Sequence, residues 1–144
     1  MAASVPFFPF AEHVFEGVHN LGSHTLRILL TNTAPAQTNA VAGDLTEISA
    51  GNGYSAGGPT LSVSSSSQTG GNYTLEAADV TITASGGTIG PFRYVVMYND
   101  TPTSPADPLI QYWDYGSSIT LQNGESFVID PTSGQAYLTG GWQQ

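Results

Sequence analysis

Short runs in which apolar and polar residues alternate recur along this chain about every ten residues, and each is closed by glycine, proline or asparagine. Alternation with period two sends successive side chains to opposite faces of a strand. The clearest runs are residues 24–31 (HTLRILLT) and 92–98 (FRYVVMY), with weaker ones at 60–66, 73–84, 109–115, 118–121 and 126–130. This rhythm predicts an all-β fold: a single antiparallel β-sandwich, of jelly-roll or immunoglobulin-like type, spanning residues 24–130.

The intervening segments read as loops. Residues 33–42 are rich in Pro, Ala and Asn, and residues 99–108 in Pro, Asp and Thr. Residues 44–49 fit a strand or one helical turn. The glycine-dense stretch 51–59 (GNGYSAGGP) needs backbone at positive φ. The serine run 64–67 is expected in a loop at a strand edge. Asn123-Gly124, between two alternating runs, is the strongest short-range hairpin signal. With 144 residues, no internal repeat and no visible boundary, the chain has room for one hydrophobic core.

The two ends read differently. Residues 1–10 are expected as an extended arm, because Pro6 and Pro9 interrupt regular structure. Phe10, Val14 and Val18 then recur with helical spacing and predict a short helix ending near Gly17. Residues 1–23 are thus an N-terminal arm with a short helix or turn. Residues 131–144 are a C-terminal strand or arm, with a candidate closing strand at 137–142.

Charge narrows the function. Only 9% of the residues are charged, where a soluble domain ordinarily carries roughly 25%. There is no lysine, the only cations are Arg27 and Arg93, and the net charge is −9. A partner that presents phosphates requires a basic stripe, so neither nucleic acid nor an anionic membrane surface is expected. No apolar run approaches the ~20 residues of a spanning helix, and the start lacks the basic segment of a signal peptide. Without cysteine there is no disulfide framework, thiolate zinc site or thiol nucleophile.

The inventory of chemistry is empty. His13, His19 and His24 match no metal-ligand spacing and read as surface or interface histidines. The acidic pairs Asp44/Glu47 and Glu76/Asp79, with Asp100, Asp107 and Asp114, read as turn caps rather than a glycosidase pair. Nothing matches a calcium loop, a phosphate loop, a dinucleotide fingerprint or a Gly-x-Ser-x-Gly elbow. No catalytic, cofactor-binding or metal-ligating residue is expected. Arg93 lies on the Val95/Met97 face of its strand, where it either sits at a sheet margin with its stem snorkelling along apolar surface or pairs with a carboxylate, in its own chain or in a neighbouring subunit.

Four stretches carry a resemblance: Leu-Thr-Asn-Thr-Ala-Pro (30–35), DLTEISAGNGYSAGG (44–58), GGTIGPFRYVVMYND (86–100) and PLIQYWDYGSSITLQNGESF (108–127). Together they resemble a family of small virion structural proteins of tailed bacteriophages. The resemblance implies a non-enzymatic capsid decoration, or head cement, protein on the virion surface whose partner is the major capsid protein. It brings no catalytic residue. The segments before residue 25 and after Asp130 lie outside it.

A homotrimer is expected, since shell proteins meet at local symmetry axes. Aromatic anchors on the two ends, Phe7, Phe8, Phe10 and Trp142, are the expected partner-binding residues together with Arg93. Two other readings fit the same composition. One is a tail component (tube, fibre or baseplate). The other is a carbohydrate-binding module stacking sugars on Tyr54, Tyr112, Trp113 or Tyr115.

Overall fold

The computed structural model describes residues 4–130 and 136–141. The chain is mostly β, with antiparallel sheets and, among the described residues, one α-helix. The elements are β1 (Val5–Pro6), α1 (Phe8–Phe15), β2 (Leu26–Thr31), β3 (Val63–Thr69), β4 (Asn72–Ala77), β5 (Val80–Thr83), β6 (Ile89–Asn99), β7 (Leu109–Leu121), β8 (Ser126–Ile129) and β9 (Ala136–Gly141). The strands form a four-stranded sheet in the order β1-β7-β6-β2, a three-stranded sheet β3-β4-β9 and a two-stranded sheet β5-β8.

The four-stranded sheet is buried on both faces along β6. Val95 and Met97 join Ile28, Leu30, Ile110 and Trp113 in a large core shared with Leu75, Ile82, Phe127 and Ile129 of the two smaller sheets. On the opposite face, Val96 and Tyr98 join Leu29, Leu109 and Phe7 in a second cluster. The period-two reading therefore separates Val95 and Met97 from Val96 and Tyr98 correctly, but the register shift between Phe92 and Tyr94 moves Phe92 off the Tyr94/Val96 side and into the main core. What that reading leaves open is that both sides are covered.

Four local expectations change. The run 73–84 is two strands, because burial changes parity: Leu75 and Ala77 face the core, then Val80 and Ile82 do. The Ala78-Asp79 joint absorbs the shift and sends β4 and β5 into different sheets. The runs 109–115 and 118–121 are one strand with an outward bulge at residues 115–118, where Gly116 sits at φ 102° and gives its N–H to Asp114 Oδ1. The serine run lies inside β3, along the outer edge of its sheet, rather than in a loop. Asn123-Gly124 does form a turn, closed by the Glu125 N–H on Gln122 O at 2.8 Å. It makes no hairpin: β7 pairs with β6 while β8 pairs with β5.

The outer edge of β2 would offer unpaired backbone to another strand. Residues 48–61 cover it as a strap. Ile28 and Leu61 donate N–H groups to Pro59 O and Leu26 O, and Ile48 donates to Leu30 O. The Tyr54 hydroxyl stands in for a backbone acceptor by taking the Leu30 N–H at 3.0 Å. The same hydroxyl donates to Glu47 Oε2, which also accepts the Gly57 N–H at 2.7 Å. Burial and this carboxylate push the Tyr54 phenol far above its ordinary pKa. Arg27 holds the far end of the strap through Gly58 O at 2.7 Å and Ala56 O at 3.2 Å.

Gly58 is the closest approach in the strap. Its φ is +77°, and a Cβ there would lie 1.6 Å from Ile28 O. Strained backbone and a clash with a buried carbonyl act together at this position. Gly58→Ala is expected to destabilise the fold by about 3 kcal/mol or more, read as a lowered urea midpoint. A midpoint within error of wild type would mean that the strap is not held this closely.

Candidate functional site

The expected free N-terminal arm is instead part of the fold. Val5 and Pro6 pair with Tyr112 and Gln111 of β7. The Phe7 N–H reaches Ile110 O at 3.2 Å, and the Phe7 ring, 2% exposed, lies 5.3 Å from Tyr112 on the second face of the sheet. Phe7 is thus a core residue, where the sequence suggested a partner anchor. The reason is the uncovered Val96/Tyr98 face, which an apolar ring on the adjacent strand can fill.

Helix α1 starts two residues earlier than its periodicity suggests. Phe7 is the extended N-cap residue, and Pro9 fits in the first turn, where its missing N–H has no intrahelical acceptor to serve. The other end is a Schellman motif: Gly17, at φ +79°, donates to Val14 O, and Val18 donates to His13 O. Phe8 is tied back through its N–H on Gln37 O at 2.8 Å.

The helix divides its aromatic residues. Phe10 packs against the main core and meets the His19 ring edge-on at 5.1 Å. Phe8 and Phe15, seven residues apart and so on one helix face, are 62% and 72% exposed. Val14, on another side of the helix, is 42% exposed, and Glu12 lies next to the stripe. Among the described residues, only Tyr115 and Val128 are comparably exposed large hydrophobics elsewhere. Phe8 therefore keeps the accessibility expected of an anchor, Phe15 joins it, and Phe10 and Phe7 face inward. Phe15 was legible as position i+7 from Phe8 once the helix start was placed correctly.

Arg93 is used within the chain. Its Nε and Nη2 donate to Asp114 Oδ1 and Oδ2 at 2.8 and 3.1 Å, and the guanidinium lies 5.4 Å from the Tyr94 ring centre. These bonds raise the Arg93 pKa, and with the Gly116 N–H they lower that of Asp114. Of the two pairings open to it, the one within its own chain is present. Trp142 lies outside the described residues.

Several carboxylates cap turns. Asp44 Oδ2 accepts the Ala40 N–H at 2.9 Å, and Glu125 Oε1 accepts the Gln122 N–H at 2.7 Å. Asp100 pairs with Arg27 at 3.4 Å, and burial together with a hydrogen bond to Asp100 pushes the Asp107 carboxyl up. Of the candidate sugar platforms, Tyr54 and Trp113 are each 2% exposed and unavailable for stacking. A shallow polar pocket of about 280 Å³ beside the strap is lined by Arg27, Tyr54, Thr81 and Thr83 among others. Among the described residues no group of three or more His, Cys, Asp or Glu is arranged to hold a metal ion, and no helix is long and apolar enough to cross a membrane.

Compared with known protein families, curated proteins and solved structures, the chain has no match in any of the three.

The two roles of the N-terminal phenylalanines separate in stability. Phe7→Ala is expected to cost about 3–5 kcal/mol, as for a truncated core aromatic. Phe8→Ala and Phe15→Ala should each stay within about 0.5 kcal/mol of wild type. Chemical denaturation of the three variants checks this, and equal losses would contradict the division.

Proposed function

We propose that this chain is a non-enzymatic structural protein of a tailed-phage particle. It attaches to the major capsid protein on the surface of the assembled head, as a decoration or cement protein, and does so as a homotrimer. The observation that carries a binding role is the Phe8/Phe15 stripe of α1, an exposed apolar surface on a helix anchored at both ends. Anchors of this kind dominate interface energetics when a partner desolvates them. The family-like stretches 30–35, 44–58, 86–100 and 108–127 coincide with the end of β2, the strap and the β6–β7 pair, and so with the frame that carries the helix.

A tail location is the competing address, and the same stripe would serve it. The test is co-sedimentation with purified bare heads and with purified tails. Binding to heads is expected. Losing two buried phenylalanines, at ~1.5–3 kcal/mol each, should weaken attachment of the Phe8→Ala/Phe15→Ala variant at least about a hundredfold. With two cations in the chain, occupancy should change little between low and moderate salt. Binding to tails alone would refute the decoration reading, and unchanged occupancy of the double variant would refute the helix as the contact. A native mass of three chains is expected in solution.

A further inference from the structure

Three histidines far from any catalytic pattern converge where α1 meets the end of β6. Asn99, the last residue of β6, is fully buried and fixes the protonation of two of them. Its Oδ1 accepts the Thr101 N–H at 3.1 Å, so its Nδ2 must face the rings. That amide reaches His19 Nδ1 at 3.0 Å and His24 Nδ1 at 2.9 Å. An NH2 group can only donate, so both Nδ1 atoms are acceptors and both rings are neutral with the proton on Nε2. His24 Nδ1 takes the Asn20 N–H as well, at 3.2 Å, which requires the same tautomer.

His19 links this knot to the helix. Its ring lies against Phe10 at 5.1 Å and 6.1 Å from His13, both on α1. His13 Nδ1 and His19 Nε2 are sealed from solvent and have no hydrogen-bond partner among the described residues. A proton arriving on Nδ1 of His19 or His24 would set N–H against N–H across the Asn99 bond. On His19 it would also place a cation beside two further imidazoles.

We propose that this cluster is an acid-sensitive latch, in which protonation of His19 breaks its bond to Asn99 and releases α1 from the sheet. The groups acting on His19 are its burial, His13 from α1 and His24 from the segment before β2. The helix carboxylates Glu12 and Glu16 are exposed, and Asp100 is drawn to Arg27. Burial first, then the two neighbouring imidazoles, lower the His19 pKa from 6.5 to about 4. The released form binds the proton with the ordinary affinity. Latching is therefore complete above about pH 6.5 and is lost as pH falls from there toward 4.

Hydrogen exchange of α1 at pH 7 and pH 5, corrected for intrinsic rates, reads the latch directly. Wild-type protection of α1 should fall at least about tenfold at pH 5 while β6 and β7 are unchanged. His19→Gln keeps an acceptor for Asn99 but takes no proton, and its α1 should stay protected at pH 5. Asn99→Asp turns the donor into an acceptor, so acid should now preserve or raise α1 protection. Constant wild-type protection overturns the proposal, as does a loss in Asn99→Asp equal to that of wild type. Should His19→Gln lose the helix already at pH 7, the sign of the Asn99→Asp response decides.

Discussion

Burial of β6 on both faces is the constraint from which the remaining arrangement follows. A strand with Val95, Val96, Met97 and Tyr98 all inside needs a cover on each side. The two smaller sheets supply one cover and Phe7 with residues 42 and 45 helps supply the other. The N-terminus must therefore dock along β7, and α1 is carried to the sheet edge as a consequence. A helix with no fully buried residue would be marginal in isolation; here both of its ends are tied by the sheet and its neighbouring loop.

The legible part of this fold was the part written in short periods. Alternation located nearly every strand, and the glycines of the strap do adopt the positive φ that their density suggested. The illegible part was long-range. Asn123-Gly124 specifies a chain reversal but not the strand beside which the chain will lie, and the partners of β7 and β8 come from elsewhere in the sequence. The N-terminal segment was misread for a related reason. Prolines at 6 and 9 suggested an arm, yet one ended a short strand and the other entered a first helical turn, both places where a missing N–H costs little. Phe7, Phe8 and Phe10 look identical in a sequence, and only the register of β1 against β7 separates core from surface.

A surface with few ions uses several of them for architecture. Glu47 unites a phenol and a backbone amide, and Arg27 gathers two strap carbonyls and Asp100. Arg93 and Asp114 clasp β6 to β7 beside the bulge. Such groups act as directed hydrogen-bonding pieces, so their value lies more in geometry than in long-range field. The same economy places exposed aromatic surface, rather than charge, at the helix proposed for contact.

The parity change between β4 and β5 has a consequence for how this sequence can drift. Facing in a strand is a binary property, and the two residues Ala78-Asp79 set its sign for everything that follows as far as Thr83. A joint of this kind tolerates substitution far better than a change of length. Removing one residue would space Leu75, Ala77, Val80 and Ile82 evenly by two, so that β4 could run straight on into β5 and the crossing into the second sheet would be lost, although every core side chain had been retained. The segment thus behaves as a counter rather than a spacer, and variation there should accumulate in residue identity while its length stays even.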